Sequence, residues 1–337
     1  MSQYTGATNS PAYDPARLKT LRDYCVLDTE PEPRFDELTL LASRICNTPI
    51  AIISLVDEER LYFKSTVGLK VKEVPSNHSF CIEVIKQGES IIVKDAKEDD
   101  RFRANPLVHD SPYFRFYAAA PLIAPNKHVI GTLCVIDYIP RDLNLEQQES
   151  LKILSRQVIT QLELDAQAIR DPLTGLFNRR YADEILRSEL KRMDRKKASL
   201  GLLIMDIDHF KKINDTHGHD TGDSVLRTFG KHIIDNVRYE DIACRIGGEE
   251  FMIIMPETTF ETAKQRSEEI REEFHKMKFL YDNKILNDLS ISIGVASYPA
   301  HGKSAVDIFR SADRVLYQAK SEGRNRVVAA EIPCLVK

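Results

Sequence analysis

Two adjacent carboxylates, Glu249 and Glu250, follow a Gly-Gly pair in the segment RIGGEEFMII, residues 245–254. The apolar flanks Ile242–Ile246 and Phe251–Met255 predict two strands joined by a hairpin turn. The Gly-Gly pair would supply the positive φ angles of a primed turn and would let a ligand approach the backbone. Two neighbouring negative charges repel each other unless a cation or solvent compensates them, and carboxylate oxygens suit Mg²⁺. A solvated acidic turn is the alternative interpretation.

A second pair of acids, Asp206 and Asp208, lies at the end of the apolar run GLLIM. If this run is a strand beside the hairpin, we expect one of the aspartates to meet Glu249 and Glu250. The resulting carboxylate cluster could hold Mg²⁺ with a phosphate, as sites of phosphoryl transfer do. From these residues alone, an aspartate that caps the following helix FKKIND is an equally good interpretation.

Two features could indicate a different metal or a disulfide framework. The segment HGH at 217–219, with Asp220 or Asp206, has donors that could hold zinc. A glycine-containing loop before a helix is the better interpretation. The 6 cysteines are scattered, mostly in apolar segments and without a C-x-x-C motif, so we predict reduced core residues.

Length and composition limit the classes of protein to consider. A chain of 337 residues predicts two domains, since a domain commonly has about 150 residues. A net charge of −4 gives no excess of positive charge, so nucleic-acid binding is not predicted. The start MSQYTGATNSPAYDP lacks the features of a signal peptide, and the apolar runs are far shorter than the roughly 18 residues that span a bilayer. We therefore predict a cytoplasmic protein without a membrane segment.

The elements of the first half predict one α+β domain with an antiparallel sheet over 17–145, after a flexible tail over 1–16. The runs PIAIISLV and LYFKS, separated by the polar turn DEER, predict a hairpin. Further strands are predicted at SIIVKDA, FRFYAAAPLI and HVIGTLCVID, and helices at RFDELTLLASRIC and SFCIEVIKQG.

Residues 146–170 predict a long signalling helix. Its narrow apolar stripe recurs every three or four residues, which is typical of a helix that pairs with a copy of itself as a coiled coil. Packing onto its own domain is the alternative, and Asp165 near the stripe weakens the pairing hypothesis. The stripe consists of Leu151, Leu154, Val158, Leu162, Ala166 and Ile169.

A domain boundary is predicted at RDPLTGLFNRRY, where Pro172 and Gly175 would break the helix. Over 171–332, strand and helix patterns then alternate. The strands are ASLGLLIMDID, the hairpin, LSISIGVASYP and RVVAA, and the helices include 221–237, 260–278 and SAVDIFRSADRVLYQAKSEG. Because the hairpin forces antiparallel neighbours, we predict an α+β sandwich of the ferredoxin-like type.

These segments carry a family resemblance. DPLTGLFNRRY, DIDHFKKINDTHGHDTGD, RIGGEEF, SISIGVA and YQAKSEGRN occur in this order and resemble the GGDEF family of diguanylate cyclases across about 170–330. In SFCIEVI, RFYAAAPLI and GTLCVID the first half resembles a GAF sensor domain. The resemblance implies a polymerase-palm-like domain that joins two GTP molecules into cyclic di-GMP and releases two pyrophosphates.

The resemblance also implies roles for the acidic residues. Asp206, the backbone of Ile207 and Glu249 would bind Mg²⁺. Glu250 would lie near the metal and the ribose hydroxyl, and Gly248 would let the backbone approach the nucleotide. Asp206, Glu249 and Glu250 are therefore the predicted catalytic residues.

Basic and amide residues complete the implied substrate site. Lys211, Lys320 and Arg324 would face the β- and γ-phosphates and supply positive charge that the acidic chain lacks overall. Lys211 could also belong to a solvated helix face, but its place in the motif favours the phosphate role. Asn214 and Asp223 would bind guanine, whose N1–H and N2 amino groups are donors that suit an aspartate.

The segment RYED, Arg238 to Asp241, matches the R-x-x-D motif that binds the inhibitory product in this family. Alone, an arginine and an aspartate at this spacing are commonly a surface salt bridge. A further arginine is expected on the following helix, where Glu269 stands with Arg266 and Arg271 nearby. This departure leaves the strength of product inhibition open.

Each chain has one such set of residues, whereas the product needs two nucleotides, so a homodimer with facing sites is predicted. The alternative function is a non-catalytic receptor that binds GTP or cyclic di-GMP and signals by protein interaction. The presence of Asp206, Asn214 and Asp223 with both glutamates favours the enzyme, because a receptor would not need them all.

The first half also contains a candidate ligand site. Aromatic residues with a few polar groups beside an irregular segment indicate a pocket that a flat base with an anionic phosphate would suit. We therefore expect a small regulatory ligand, with a cyclic nucleotide such as cAMP as the first hypothesis. An ordinary sheet core with surface arginines is the alternative. The candidate residues are Phe80, Arg101, Phe102, Asn105, Arg115, Phe116 and Tyr117.

Overall fold

The computed structural model describes residues 13–76, 79–281 and 284–331. The chain divides into two compact units, Met1–Ala166 and Gln167–Lys337. In the described ranges, no helix has both the length and the apolar character that crossing a bilayer requires. Most of the predicted tail over 1–16 lies outside these ranges, and its last two residues already belong to a helix.

The first unit is built on one antiparallel sheet, as predicted. Its strands are β1 (Ile50–Val56), β2 (Arg60–Val67), β3 (Glu73–Pro75), β4 (Ile91–Val93), β5 (Phe116–Ile123) and β6 (Val129–Asp137). They pair in the order β3-β2-β1-β6-β5-β4. The helices are α1 (Pro15–Asp23), α2 (Pro33–Cys46), α3 (Cys81–Gln87), α4 (Pro106–His109) and α5 (Leu145–Ala168).

Alternate residues of these strands face two separate cores. Ile53 and Leu55 of β1 face the core that includes residues of α1, α2 and α5. Ile50 and Ile52 face the core that includes α3 and the segment around Phe114. The sheet therefore lies between a helical layer and a second layer made of α3 and irregular chain.

The apolar stripe of α5 packs onto its own unit. Leu151, Leu154, Val158 and Leu162 are at most 8% exposed and share a core with Phe35 of α2. The prediction that this stripe pairs with a second copy is thus wrong for these residues, and the alternative interpretation is correct. Burying the stripe in the sheet core satisfies the same periodicity that a coiled coil would.

The second unit has a mixed sheet. Its strands are β7 (Phe177–Asn178), β8 (Leu200–Ile207), β9 (Ile242–Arg245), β10 (Glu250–Pro256), β13 (Ile291–Tyr298) and β14 (Val327–Ala329), in the order β14-β13-β8-β10-β9-β7. The central strands are antiparallel, and β14 and β7 add parallel edges. The strands β11 (Phe279–Tyr281) and β12 (Lys284–Leu286) pair antiparallel in a separate two-stranded sheet.

Helices cover both faces of this sheet. They are α6 (Arg179–Lys196), α7 (Phe210–His217), α8 (His219–Asn236), α9 (Phe260–Lys276) and α10 (Ala305–Ser321). Leu203 and Met205 of β8 share a core with α7, α8 and α9, while Leu202 and Ile204 share one with α6 and α10. The predicted α+β architecture is confirmed, and β8 runs through the centre of the sheet.

Four cysteines of the described ranges are buried free thiols. Cys46, Cys81, Cys134 and Cys244 are buried in the cores, as predicted, and Cys25 is partly exposed. Cys334 lies outside the described residues.

Candidate functional site

The pairing of β8 with β10 brings two predicted acids together. Asp206 is directly opposite Glu250 in the register, and Ser292 of β13 is its neighbour on the other side. Residues opposite each other in an antiparallel pair point to the same face, so the carboxyl groups of Asp206 and Glu250 share the face that α10 covers. Asp206 is only 5% exposed.

The connection between β9 and β10 consists of residues 246–249, and its glycines do not have the predicted conformation. Neither Gly247 nor Gly248 adopts a positive φ, so the prediction of a two-residue primed turn is wrong. The backbone N–H groups of Ile246 and Gly247 donate to the carbonyl of Glu250, at 2.9 and 3.3 Å. A Cβ on Gly247 would lie 2.3 Å from Oε2 of Glu250, so this glycine makes room for the Glu250 side chain.

The Gly-Gly turn also fixes Glu249 beside the end of β8. The backbone N–H of Ile207 donates to the Glu249 carbonyl at 3.2 Å. A Cβ on Gly248 would meet no atom within 4 Å, so the space over this residue is open to a ligand. The segment therefore places Glu249 within the same site as Asp206, with free access above the turn.

The folded protein disfavours the ionised form of two carboxyl groups in this site. Burial raises the pKa of Asp206, and the charges of Glu250 and Asp208 add to the effect. Burial also raises the pKa of Glu249, with the Asp206 charge as the next cause. Lys320 of α10 opposes both shifts, because its Nζ lies 2.6 Å from Oδ2 of Asp206. The site is thus one in which acidic groups gain from a nearby cation.

Asp208 has a structural role that the sequence did not reveal. Its carboxylate accepts hydrogen bonds from Oγ of Ser290 and Oγ of Ser292, both at 2.7 Å, and from the N–H of Asn325 at 3.0 Å. It therefore ties the start of β13 to the turn after α10. Neither aspartate caps α7, whose N-cap residue is His209. In the sequence, the sign of this role is the alternation of Ser290, Ile291 and Ser292 at the start of β13, which pairs with β8.

The donors present fit magnesium better than zinc. No three His, Cys, Asp or Glu side chains of the described residues converge as a metal-binding group. The zinc interpretation of His217 and His219, whose side chains are exposed, is therefore not supported, and the predicted cluster of Asp206, Glu249 and Glu250 does not converge as a three-carboxylate group either. Mg²⁺ commonly takes one or two carboxylates and completes its shell with waters and substrate phosphates. Asp206 and Glu249 meet that requirement, and Asp206 already pairs with one cationic group, the ammonium of Lys320.

Asn214 and Asp223, the predicted base-binding residues, lie on the neighbouring helices α7 and α8. Oδ1 of Asn214 is buried and has no hydrogen-bond partner among the described residues. A Cβ on Gly222 would lie 1.9 Å from this oxygen, so the glycine lets α7 and α8 approach here. The Asp223 carboxylate has a 3.7 Å contact with Arg227. The half-exposed Asp223 carboxylate is therefore accessible to a ligand, whereas Asn214 would have to turn its buried Oδ1 outward to accept from one.

The predicted phosphate-binding residues lie on two elements. Lys211 is exposed in the first turn of α7. Lys320 lies in the last turn of α10. Arg324 follows in a turn with φ of 62°, and its N–H donates to the carbonyl of Ala319 at 3.0 Å. The structure joins Lys320 to Asp206 directly and shows no contact of Lys211 or Arg324 with the acidic group.

The RYED segment is a turn rather than an ion pair. Oδ2 of Asp241 accepts from the backbone N–H of Arg238 at 3.1 Å, and the exposed Arg238 side chain forms no salt bridge with it. Burial raises the pKa of Asp241, and the charge of Arg266 opposes that shift. Arg266 of α9 thus lies close to this turn, whereas Arg271 donates to Asn325. Glu269 pairs with Arg266 at 2.9 Å.

The predicted sensor residues do not form one site. Phe80 stacks on Phe102 with ring centroids 4.4 Å apart, and its ring lies 5.1 Å from that of Tyr117. Phe116 faces the opposite core, because neighbouring residues of a strand point to opposite faces.

The polar members of that set have other partners. Arg101 pairs with Asp99, Arg115 pairs with Asp95, and Asn105 caps α4 by accepting from the N–H of Leu107. The combined aromatic and cationic pocket predicted for a nucleotide is therefore not present. The three aromatic rings of Phe80, Phe102 and Tyr117 remain together.

Comparison with family models divides the chain in the same way as its structure. Residues 168–326 match the model described as diguanylate cyclase, GGDEF domain, and residues 30–162 match the GAF domain model. The GGDEF match agrees with the resemblance across about 170–330, whereas the GAF match extends to residue 162, beyond the predicted domain end at 145 and into the helix predicted over 146–170.

Curated relatives match about half of the chain. The response regulator PleD of Caulobacter vibrioides is 45% identical over 163 residues, covering 48% of this chain and 36% of PleD. A probable diguanylate cyclase of Escherichia coli, DgcT, is 39% identical over 168 residues, covering 49% of this chain and 36% of DgcT. The matched region is thus about a third of the length of these relatives.

A solved structure also matches about half of the chain. The coiled coil and GGDEF domain of DgcB from Caulobacter crescentus, in complex with c-di-GMP, superposes with a TM-score of 0.52 at 32% identity. The match covers 55% of this chain and 97% of that structure.

Proposed function

Because the chain belongs to the GGDEF family of diguanylate cyclases and has a GAF domain, we propose that it joins two GTP molecules into cyclic di-GMP. Two pyrophosphates are released in this reaction. The observation that carries the proposal is the placement of Asp206 opposite Glu250, with Glu249 held beside them by the Ile207 N–H. This arrangement would put acidic groups beside a metal-bound triphosphate.

Mg²⁺ would be held by Asp206, Glu249 and the backbone of Ile207, and when bound it would neutralise charge that develops on the reacting phosphates. Glu250 shares a face with Asp206 and would hold the ribose hydroxyl that attacks the α-phosphate of the second GTP. Lys320 would exchange its contact with Asp206 for one with the phosphates. Lys211 and Arg324 would add positive charge near the leaving pyrophosphate.

Guanine would bind between α7 and α8. The unpartnered Oδ1 of Asn214 and the carboxylate of Asp223 are acceptors, and guanine presents donors at N1 and at its N2 amino group. Adenine has no such pair of donors on the corresponding edge. Leaving two buried or half-buried acceptors unpaired is costly, so this site would discriminate against ATP.

The reaction also requires two copies of the chain. Each second unit has one acidic set, and each new phosphodiester joins nucleotides held by different copies. We therefore propose a homodimer that places two such sites face to face. Cyclic di-GMP would inhibit by binding at Arg238 and Asp241, and Arg266 would supply the further arginine that Glu269 does not.

We also propose that the GAF domain is a sensor whose occupancy by a small ligand changes the rate of cyclisation. A ligand can shift such an equilibrium only through its different affinity for two arrangements of the protein.

Incubating the full chain with GTP and Mg²⁺, and separating the products by chromatography, tests the central proposal. Formation of cyclic di-GMP with two pyrophosphates per product supports the enzyme. An unchanged GTP pool, together with binding of GTP or cyclic di-GMP by calorimetry, would instead support the receptor function. Omitting Mg²⁺, or replacing GTP with ATP, gives the controls.

A further inference from the structure

The first unit brings two cysteines together in the wall of one cavity. The cavity has a volume of about 410 Å³ and lies between the sheet and its irregular layer, and Cys81 of α3 and Cys134 of β6 both line it. Among the described residues that line it there is no Arg, Lys, His, Asp or Glu. Val71 at its rim is 49% exposed, and Cys81 is 5% exposed. Small uncharged molecules therefore have a route from the solvent to Cys81.

Four side chains form hydrogen bonds with the sulfur of Cys81. The hydroxyls of Thr132 and Tyr117 donate to Sγ at 3.3 and 3.5 Å. The side chains of Cys134 and Ser79 form the other two hydrogen bonds. A neutral thiol is only a weak acceptor, so donors that converge on one sulfur stabilise its thiolate form.

The pKa values of the two thiols shift in opposite directions. The hydrogen bond between them lowers the pKa of Cys81 and raises that of Cys134. Thr132 and Tyr117 lower the pKa of Cys81 further and oppose the effect of its burial. The thiol of Cys46 differs, because burial raises its pKa to about 11. Of these three thiols Cys81 ionises most readily, and the thiolate is the form that reacts with oxidants.

We propose that Cys81 and Cys134 are a redox-active pair that a small uncharged hydroperoxide converts into a disulfide. The two thiols already form a hydrogen bond, so only a small movement would bring their sulfurs to the bonded distance of about 2.0 Å. The disulfide would join α3 covalently to β6 and give the first unit an oxidised state besides the reduced one. The inference does not depend on the proposed cyclase activity, because the new bond is detected chemically.

The oxidation takes place in two steps. The Cys81 thiolate attacks one oxygen of the peroxide, the O–O bond breaks, and the leaving hydroxide takes up the proton that the thiol gave up. Cys81 is then a sulfenic acid. The sulfur of Cys134 attacks the sulfur of Cys81, the S–O bond breaks, and the second water leaves with the Cys134 proton. With hydrogen peroxide, the two thiols lose two electrons and two protons, and the peroxide becomes two waters.

The first experiment treats the reduced full chain with hydrogen peroxide, alkylates the remaining thiols in denaturant and maps the peptides by mass spectrometry. Two peptides joined through Cys81 and Cys134 should appear, and dithiothreitol should separate them again. Cys46 and Cys244 are also buried and should be alkylated as before. If Cys81 and Cys134 are no more oxidised than Cys46, the proposal is overturned.

Glutathione disulfide tests the class of oxidant. It is large and anionic, and the uncharged wall offers it no counter-charge, so it should oxidise the pair much more slowly than hydrogen peroxide does. Faster oxidation by glutathione disulfide would overturn the hydroperoxide assignment, because the reaction would then be thiol–disulfide exchange.

Cys134→Ser separates the two steps. Serine keeps a hydrogen-bond donor but cannot form a disulfide, so dimedone added on unfolding should trap a sulfenic acid on Cys81. Cys46→Ser is the matched control, because Cys46 is buried in the other core and its loss should leave the disulfide unaffected. Cys81→Ser should leave Cys134 reduced. Dimedone on Cys134 in Cys81→Ser, with none on Cys81 in Cys134→Ser, would overturn the assigned order of attack.

Thr132→Val tests the donors around Cys81. The substitution keeps the shape of the side chain and removes one hydrogen bond, which lowers the thiolate fraction by about tenfold. The remaining thiolate is a better nucleophile, so oxidation at a pH below the pKa of Cys81 should slow by roughly threefold. Thr39→Val is the matched control, because Thr39 is fully buried in α2 and donates to the carbonyl of Phe35 at 2.9 Å. Equal oxidation rates in the two variants, with thermal midpoints showing that both fold, would overturn the activation of Cys81 by its donors.

Discussion

Replacing Glu249 by glutamine should abolish most of the cyclase activity without destabilising the protein. Glutamine keeps the size of the side chain and removes the charge that would bind Mg²⁺. Losing a metal ligand that supplies about 3 kcal/mol of transition-state stabilisation lowers the rate by roughly 150-fold. The Glu249 backbone contact with Ile207 does not involve the side chain, so the turn should persist.

The same substitution should leave the free energy of unfolding unchanged or slightly higher. Burial and the charge of Asp206 raise the pKa of Glu249, which means that the folded protein disfavours its ionised form. The wild-type protein is therefore less stable above that pKa than it would be with a neutral side chain there. For a half-exposed group the difference should be less than about 1 kcal/mol. It should vanish as the pH falls below the pKa that Glu249 has in the unfolded chain.

The assay measures the initial rate of cyclic di-GMP formation at saturating GTP over a range of Mg²⁺ concentrations, alongside urea unfolding at two pH values. Glu257→Gln is the matched control, because Glu257 lies just after β10, is exposed and pairs with Lys196 on the surface. This variant should retain its rate. Turnover of Glu249→Gln within about threefold of the wild type at saturating Mg²⁺ would remove Glu249 from the mechanism.

Three further predictions concern the same unit. Arg238→Ala should relieve inhibition by added cyclic di-GMP and keep the initial rate, because Asp241 contacts only the backbone of Arg238; an unchanged inhibition curve would make the motif purely structural. Asp223→Asn should raise KM for GTP by about tenfold, since one acceptor for guanine is replaced by a donor, and an unaltered KM would contradict the assigned base site. Burial raises the pKa of both Asp206 and Glu249. Ordinary carboxyl groups titrate near pH 4, so the fall of kcat/KM on the acid side should occur at a higher pH than that. Activity that persists down to that range would show that these groups titrate normally.

Local sequence patterns predicted that an aspartate after β8 would lie beside Glu250, because register and alternation follow from short-range rules. The apolar runs of β8 and β10 fix both strands, and pairing them as neighbours puts Asp206 beside Glu250. The glycines show where such rules stop. Gly247 has no positive φ, and its missing Cβ leaves room for the carboxyl end of Glu250, a contact that is not visible in a turn motif.

The N-terminal predictions failed where partners are distant in sequence. Phe116 and Tyr117 are neighbours in the chain, but they face different cores, as strand alternation alone should have indicated. Arg115 forms an ion pair with Asp95, a residue 20 positions away that no local pattern connects to it. For α5, the period of Leu151 and Val158 is the same whether the helix meets a second copy or a sheet, so the sequence alone could not choose.

The position of α5 changes how a ligand could act on it. The cavity lies on one face of the first sheet and α5 packs on the other, so they do not touch through a shared core. The strands β1 and β6 connect them, because Ser54 and Cys134 face the cavity while Leu55 and Val135 face the core of α5. A shift of either strand moves side chains on both faces at once, because successive residues of a strand point to opposite faces. A ligand in the cavity would therefore change how the buried stripe of α5 packs on the sheet. Substitutions at Leu55 or Val135 should weaken the effect of the ligand on cyclase activity without removing ligand binding.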